Sequence, residues 1–248
     1  MNLRSVDTAV TLESERLRST KKSGWSTGWL KREPTSPLPK GEIEEVFTRY
    51  EQVCATYPRL DSDMVSCHMD LKPENILFDG QQVWLVDWQA AFVNDRYFDL
   101  AVAGNFLLTN DSDEVTYLER YFGQRPNEYQ RARFFLMRQV VHMFYATVLL
   151  LLGSAGKPIE QSGKLPSFRD FHRWIWTGEV NLADNDLKIV YGRVHWEQLL
   201  QKMRQARFEE ALRIVSDPPI NAQSHCQGTS QGRGWKQTYA HAHHVHRG

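Results

Sequence analysis

The sequence predicts a mainly helical α+β domain that carries one short β-hairpin. Apolar residues recur every three or four positions in several long segments, which is the spacing of amphipathic helices. The dipeptide Asp79-Gly80 lies between two short apolar runs, and this arrangement is a strong hairpin signal. The 248 residues include 41% hydrophobic and 24% charged side chains, as expected for a globular domain.

The first helix is predicted from residue 43 to residue 57, after an irregular N-terminal segment, residues 1–41. Prolines and glycines interrupt that segment too often for a long element. Pro58 ends the helix, because proline cannot continue the hydrogen-bond ladder. Its apolar positions are Ile43, Val46, Phe47, Tyr50, Val53, Cys54 and Tyr57.

A strand–loop–strand pattern follows the first helix. Residues 64–67 are predicted as a strand that leads into a polar loop. Residues 76–78 and 83–86 are predicted as the two strands of the hairpin that turns at Asp79-Gly80. Because a hairpin returns the chain to its starting point, we expect the polar loop to lie beside the residues that follow position 86.

Helices are predicted for most of the remaining chain. One covers residues 98–107, and the next opens with Asp111 and Glu114 as a capping pair and ends at Gly123. Pro126 and Asn127 precede a long apolar helix. Residues 153–185 are predicted to be rich in loops, and the last helix has its apolar face between positions 196 and 215.

The long apolar helix, residues 134–152, has the length of a membrane span. Its first half carries Arg138, Gln139 and His142, which are costly in lipid. We therefore predict that it is a buried core helix of a cytoplasmic protein. No secretory signal is visible, and three scattered cysteines fit a reduced compartment.

The overall charge of the chain gives no reason to expect a strongly charged partner. The formal net charge is +0, with Lys and Arg equal in number to Asp and Glu. We therefore expect neither nucleic acid nor an anionic membrane as a partner. The tail, residues 217–248, is rich in Gly, Ser, Gln and His and is predicted to be disordered, with its histidines binding metals only opportunistically.

The polar loop and the end of the hairpin contain residues suited to phosphoryl transfer. Asp70 offers a carboxylate that can accept a proton from a hydroxyl group. Asn75 and Asp87 offer the hard oxygen ligands that Mg²⁺ prefers. The hairpin folds Asp87 back toward this loop, so the three side chains are expected to converge on one point.

The pattern resembles the catalytic and metal loops of eukaryotic-like kinases, with His68, Asp70 and Asn75 followed by a strand and Asp87. Asp87 is followed by Trp-Gln and not by Phe-Gly, and the segment 98–101 reads Phe-Asp-Leu-Ala. These features are similar to the aminoglycoside phosphotransferase and choline kinase group. The resemblance covers residues 42–216 as a kinase-like C-lobe and is strongest from 65 to 102.

This resemblance implies an ATP- and Mg²⁺-dependent transfer to a hydroxyl of a small molecule such as choline, ethanolamine or an aminoglycoside. It makes Asp70 the catalytic base and Asn75 and Asp87 the residues that bind ATP through Mg²⁺. His68 is expected to brace the catalytic loop, and Lys72 to contact the transferred phosphate. Asp99 is expected to support the loop.

A complete kinase also has an N-lobe with a glycine-rich hairpin and a strand lysine, and neither pattern precedes Asp70. We therefore expect the N-lobe to be absent. Truncation, a partner chain that supplies the lobe, and a non-catalytic kinase-like binding module remain open. Lys72, where this family often has histidine, also leaves a protein kinase fragment as a lesser alternative.

Three other residues have structural interpretations that compete with functional ones. Cys67 is predicted to be a buried core thiol and not a reactive one. For Trp174 and Trp176, a role in anchoring the core or a loop is favoured over a role in stacking on a substrate.

Overall fold

The computed structural model describes residues 38–58, 60–154 and 164–217, all within one compact unit. The helices of these ranges are α1 (Lys40–Thr56), α2 (Arg96–Leu107), α3 (Asp111–Phe122), α4 (Glu128–Ser154), α5 (Phe168–Thr177), α6 (Asn185–Met203) and α7 (Ala206–Ser216). The strands are β1 (Met64–Cys67), β2 (Ile76–Phe78), β3 (Val83–Leu85) and β4 (Phe92–Asp95). The predicted mainly helical α+β fold is confirmed.

Helix α4 forms the centre of the domain and packs against α2, α6 and α7. By length and composition it is long and apolar enough to cross a membrane, but half of its most apolar segment is buried inside the domain. Its polar residues Arg133, Gln139 and His142 are also buried, and the first and last of these have polar side-chain partners. The helix therefore serves as the core of the described domain.

The strands form two separate antiparallel pairs. In the predicted hairpin, Ile76 pairs with Leu85 and Phe78 with Val83, and Gly80 turns the chain with a φ of 95°. In the second pair, β1 joins β4, with Met64 opposite Asp95. Strand β4 has no signal in the sequence, because its four residues show no clear alternation and its partner lies far away along the chain.

The region predicted to be rich in loops contains helix α5, so that part of the prediction was wrong. The Ser167 side chain caps the helix by accepting a hydrogen bond from the Asp170 amide, and Gly178 ends it with a φ of 78°. Phe168 and Phe171 on one face are buried in a small aromatic cluster. The amphipathic repeat of this helix is short, and the surrounding sequence shows no periodicity that would draw attention to it.

Two helix boundaries also differ from the prediction. The predicted last helix is two helices, because the chain breaks at Arg204 and Gln205 between α6 and α7. Helix α3 is capped one residue earlier than expected, since the Asn110 side chain accepts a hydrogen bond from the Asp113 amide. The irregular segment before residue 38 and the His-rich tail after residue 217 lie outside the described residues.

Candidate active site

The catalytic loop, residues 68–75, is anchored to the first turn of α2 by a single carboxylate. Asp99 accepts the backbone amide of His68 at 2.6 Å and that of Met69 at 2.8 Å. Met69 adopts the left-handed backbone conformation, with a φ of 71°, which is uncommon for a residue other than glycine. The two charge-assisted bonds hold the loop in this strained conformation.

His68 connects the catalytic loop to the chain just before Asp87. Its Nε2 atom lies 2.7 Å from the carbonyl oxygen of Val86, and its Nδ1 atom lies 3.4 Å from the amide of Asp70. Because a carbonyl only accepts, Nε2 carries the proton and Nδ1 is the acceptor. The ring of Trp88 lies 4.7 Å away and covers the imidazole. His68 thus links the catalytic loop to the residue before Asp87.

The Asp70 carboxylate is held from two sides. Its Oδ2 atom accepts hydrogen bonds from Lys72 Nζ at 2.6 Å and from Asn75 Nδ2 at 3.2 Å. Its Oδ1 atom accepts one from the Tyr145 hydroxyl at 2.8 Å. Burial and the Asp70 charge raise the pKa of Tyr145 well above its usual value, so this hydroxyl remains a donor.

Backbone pairing places Asp87 beside Asn75. The amide of Val86 donates to the carbonyl oxygen of Asn75 at 3.1 Å, directly beyond the Ile76–Leu85 pair of the hairpin. Asp87 itself has a φ of 65°, and its exposed side chain makes no capping bond to the short 3₁₀ turn that follows. The loop that contains Asp70 and Asn75 and the chain at Asp87 therefore lie side by side.

The side-chain oxygen atoms of Asn75 and Asp87 are suitable ligands for a magnesium ion. Asn75 uses its Nδ2 atom to donate to Asp70, which leaves its Oδ1 oxygen available as a ligand. Within the described ranges, no group of three His, Cys, Asp or Glu side chains is placed to hold a metal. One amide oxygen and one carboxylate match the way Mg²⁺ binds in kinases, where substrate phosphates and water complete the coordination shell.

An aromatic wall lies beside Asp70 and was not foreseen in the sequence. The ring of Tyr145 stacks on His195 at 5.1 Å, and Tyr191 lies 4.6 Å from the same imidazole. Phe106 and His172 extend the wall, with ring centroids 4.4 Å apart. These five residues come from α2, α4, α5 and α6, so only the tertiary fold brings them together. We call them the aromatic wall.

The aromatic wall contains polar atoms that have no hydrogen-bond partner within the described part of the chain. They are both ring nitrogens of His172 and the Nε2 atom of His195. Burial lowers the pKa of His195 to about 3 and also lowers the pKa of His172, so both rings are neutral. Unpaired buried polar atoms of this kind often mark a position where water or a ligand binds.

Of the remaining candidate residues, Cys67 and Trp174 pack within the domain, whereas Trp176 is exposed. Cys67 is buried, and burial raises the pKa of its thiol to about 12, as expected for a core cysteine. Trp174 packs at the edge of the aromatic cluster of α5 and α6, whereas Trp176 is 66% exposed. Trp176 lies with its ring centroid 6.3 Å from that of His172.

The sequence of this chain is similar to those of known proteins. Residues 2–135, more than half of the 248 residues, match the phosphotransferase enzyme family. Protein LicA of Haemophilus influenzae is 29% identical over 133 residues, which is 52% of this chain and 36% of LicA. LicA of strain Rd is 28% identical over 133 residues, again 52% of this chain and 46% of that protein.

A solved structure shows the same fold. The choline/ethanolamine kinase family protein of Mesorhizobium loti aligns with a TM-score of 0.56 and 19% identity, over 77% of this chain and 56% of that protein. The chain thus spans less than two thirds of each of these three relatives. The family match includes the loop of Asp70, Asn75 and Asp87, and with the aligned fold it identifies the chain as a member of the phosphotransferase enzyme family.

Proposed function

We propose that the protein transfers the γ-phosphoryl group of ATP to a hydroxyl group of a small molecule in the cytoplasm. Asp70 acts as the base, and Asn75 and Asp87 hold the magnesium ion. The observation that supports this proposal best is the Val86–Asn75 hydrogen bond at 3.1 Å, since it brings both ligands beside the loop of the base. When bound there, Mg²⁺ would neutralise negative charge on the ATP phosphates.

The proposed reaction exchanges one phosphorus–oxygen bond for another. The acceptor oxygen forms a bond to the γ-phosphorus, and the bond from that phosphorus to the β,γ-bridging oxygen breaks and releases ADP. The hydroxyl proton passes to Asp70. Lys72, whose Nζ atom lies 2.6 Å from the Asp70 carboxylate, is close enough to this point to contact the transferred phosphoryl group.

The aromatic wall favours an amino alcohol as the acceptor. Aromatic faces attract organic cations, and desolvated sites strengthen this attraction. Burial raises the pKa of Tyr191, and the nearby Glu74 carboxylate raises it further, so a negative charge lies close to these rings. Choline and ethanolamine, after which the family of the Mesorhizobium loti protein is named, each combine a cationic nitrogen with one hydroxyl. Phe106, Tyr145 and His172 are the partly buried members of the wall, and these could contact such a cation.

Transfer of labelled phosphate from ATP to a panel of choline, ethanolamine and kanamycin tests the proposal. Because no glycine-rich hairpin or strand lysine is visible before Asp70, the assay supplies a kinase N-lobe, and with it we expect choline or ethanolamine to be phosphorylated in a Mg²⁺-dependent reaction. The Asp70→Asn variant should lower turnover by roughly a hundredfold or more, because the base is lost. Asp87→Ala should remove Mg²⁺-dependent activity, whereas Asp186→Asn, an exposed change in the first turn of α6, should leave it unchanged.

Two results would contradict the proposal. Full turnover by Asp70→Asn would exclude Asp70 as the base. Binding of Mg²⁺ and ATP by the wild-type chain without transfer to any alcohol of the panel would support the non-catalytic binding module instead.

A further inference from the structure

Tyr145 contacts the proposed base from the core of the domain, although sequence motifs assign it no role. It lies on α4, and its hydroxyl donates to Asp70 Oδ1 across 75 residues of sequence. The ring is held by stacking on His195, with an interplanar angle of 24°, and by edge contacts with Phe106 and Phe144. The hydroxyl therefore has little freedom to leave Asp70.

The two oxygens of Asp70 differ in the space that they leave for a substrate. Each carboxylate oxygen can accept about two hydrogen bonds. Oδ2 accepts from Lys72 and from Asn75, and both of its acceptor positions are therefore used. Oδ1 accepts from Tyr145, and no other donor of residues 38–58, 60–154 or 164–217 reaches it. The free acceptor position of Asp70 is thus on Oδ1.

We propose that Tyr145 is a positioning residue for Asp70, which orients the carboxylate so that the free position of Oδ1 receives the proton of the acceptor hydroxyl. The inference rests on the proposed function. Tyr145 keeps its own proton throughout, because burial and the Asp70 charge raise its pKa well above the usual value. The substrate hydroxyl then approaches from the side of α4, next to the aromatic wall.

The Tyr145→Phe variant removes the hydroxyl and keeps the ring that stacks on His195. Its matched control is Tyr117→Phe, since the Tyr117 hydroxyl donates to the Leu100 carbonyl oxygen at 3.1 Å and does not touch Asp70. We expect Tyr145→Phe to lower kcat about tenfold, with the KM for ATP changed by less than about twofold. Tyr117→Phe should lower the thermal unfolding temperature to a similar extent but retain kcat.

An unchanged kcat in a folded Tyr145→Phe variant overturns the proposal. So does an equal loss of kcat in Tyr117→Phe, because that result would reflect stability and not positioning.

A measurement independent of activity separates this proposal from the proposed function. In protein with ¹³C-labelled tyrosine, NMR should detect a slowly exchanging hydroxyl proton that disappears in Tyr145→Phe and shifts upfield in Asp70→Asn. If no phosphate is transferred even with a kinase N-lobe supplied, the proposed function fails, and this signal alone decides whether Tyr145 holds Asp70. The absence of such a proton, or its indifference to Asp70→Asn, overturns the positioning role.

Discussion

The Nε2 atom of His68 donates to the carbonyl oxygen of Val86 at 2.7 Å, and this bond joins the loop of the base to the residue before Asp87. The two segments are also joined by the Val86–Asn75 backbone hydrogen bond and by the short β2–β3 hairpin, whose apolar side chains are largely exposed on both faces. A hairpin of this kind has little packing energy of its own. The buried imidazole therefore contributes to the alignment of Asn75 with Asp87.

Replacement of His68 by phenylalanine should loosen this alignment. The Val86 carbonyl loses its donor, and we expect kcat/KM for Mg²⁺-ATP to fall roughly tenfold. His68→Gln retains a side-chain amide that can donate, so its loss should be smaller. Hydrogen exchange of the Asp87 and Trp88 amides should accelerate in His68→Phe. Equal exchange rates in both variants and the wild type would show that the bond does not hold the two segments together.

Asp99 should contribute to stability through its two amide contacts. Asparagine at this position accepts with one oxygen only, and its NH₂ group then faces the amide of His68 or Met69. We expect Asp99→Asn to lower the free energy of unfolding by about 1.5–3 kcal/mol in urea titrations. Asp113→Asn removes a carboxylate that accepts the Thr109 amide at the exposed start of α3, and it should cost less. Similar losses in the two variants would contradict this explanation.

The sequence could predict that the chain at Asp87 lies beside the loop of Asp70 and Asn75, because the contacts that bring them together are local. One hairpin connects the catalytic loop to Asp87, and turn residues between two short apolar runs specify a hairpin over a short distance. The amphipathic helices could be located for the same reason. Helix α5 was missed although it is strongly amphipathic, because its ten residues lie within a long stretch that has few other periodic positions.

Tyr145, which donates to Asp70 from the helical core, could not be found in this way, and neither could His195, on which its ring stacks. Tyr145 and His195 lie on different helices, and a tyrosine or histidine on an apolar face looks like any other core residue in a sequence. Strand β4 was also missed, since its pairing with β1 spans about 28 residues and follows from the tertiary fold. Contacts at such separations depend on how the helices pack, which no local pattern encodes.

Arg133 forms a buried ion pair network that should be important for stability. Its side chain is 2% exposed, and it pairs with Asp95 at 2.8 Å and also with Asp63. Removing one member of such a network leaves an uncompensated charge, so Arg133→Met should cost about 3–5 kcal/mol of unfolding free energy. Adding Asp95→Asn to this variant should restore part of the loss, since asparagine still caps α2.

Arg131→Met provides the control on the same helix. Arg131 pairs with Glu114 at 3.2 Å, but Glu114 also pairs with Arg207 at 2.5 Å. The charge of Glu114 therefore stays compensated in Arg131→Met. The loss of unfolding free energy should be much smaller than in Arg133→Met. If Arg131→Met destabilises the protein as much as Arg133→Met, burial of the unpaired carboxylate is not the cause.

The buried histidine pair of α4 and α6 should make the protein less stable in mild acid. His142 Nδ1 lies 3.0 Å from His195 Nδ1, and burial lowers the pKa of His142 well below 6.5 and that of His195 to about 3. The unfolded chain therefore binds protons below about pH 6.5 while the folded pair remains neutral. Stability is fully present above that value and falls as the pH decreases, with a limiting slope of about 1.4 kcal/mol per pH unit for each histidine.

Urea titrations between about pH 7.5 and pH 5.5 measure this effect. The His142→Gln variant removes one of the two titrating groups but retains an amide that can hydrogen-bond to His195. The loss of unfolding free energy over this range should therefore be smaller than in the wild type by about 1.4 kcal/mol. Comparison of the two slopes cancels contributions from carboxylates and from other histidines. Parallel stability curves for the two proteins would contradict this explanation. They would mean that His142 binds protons equally in the folded and the unfolded chain.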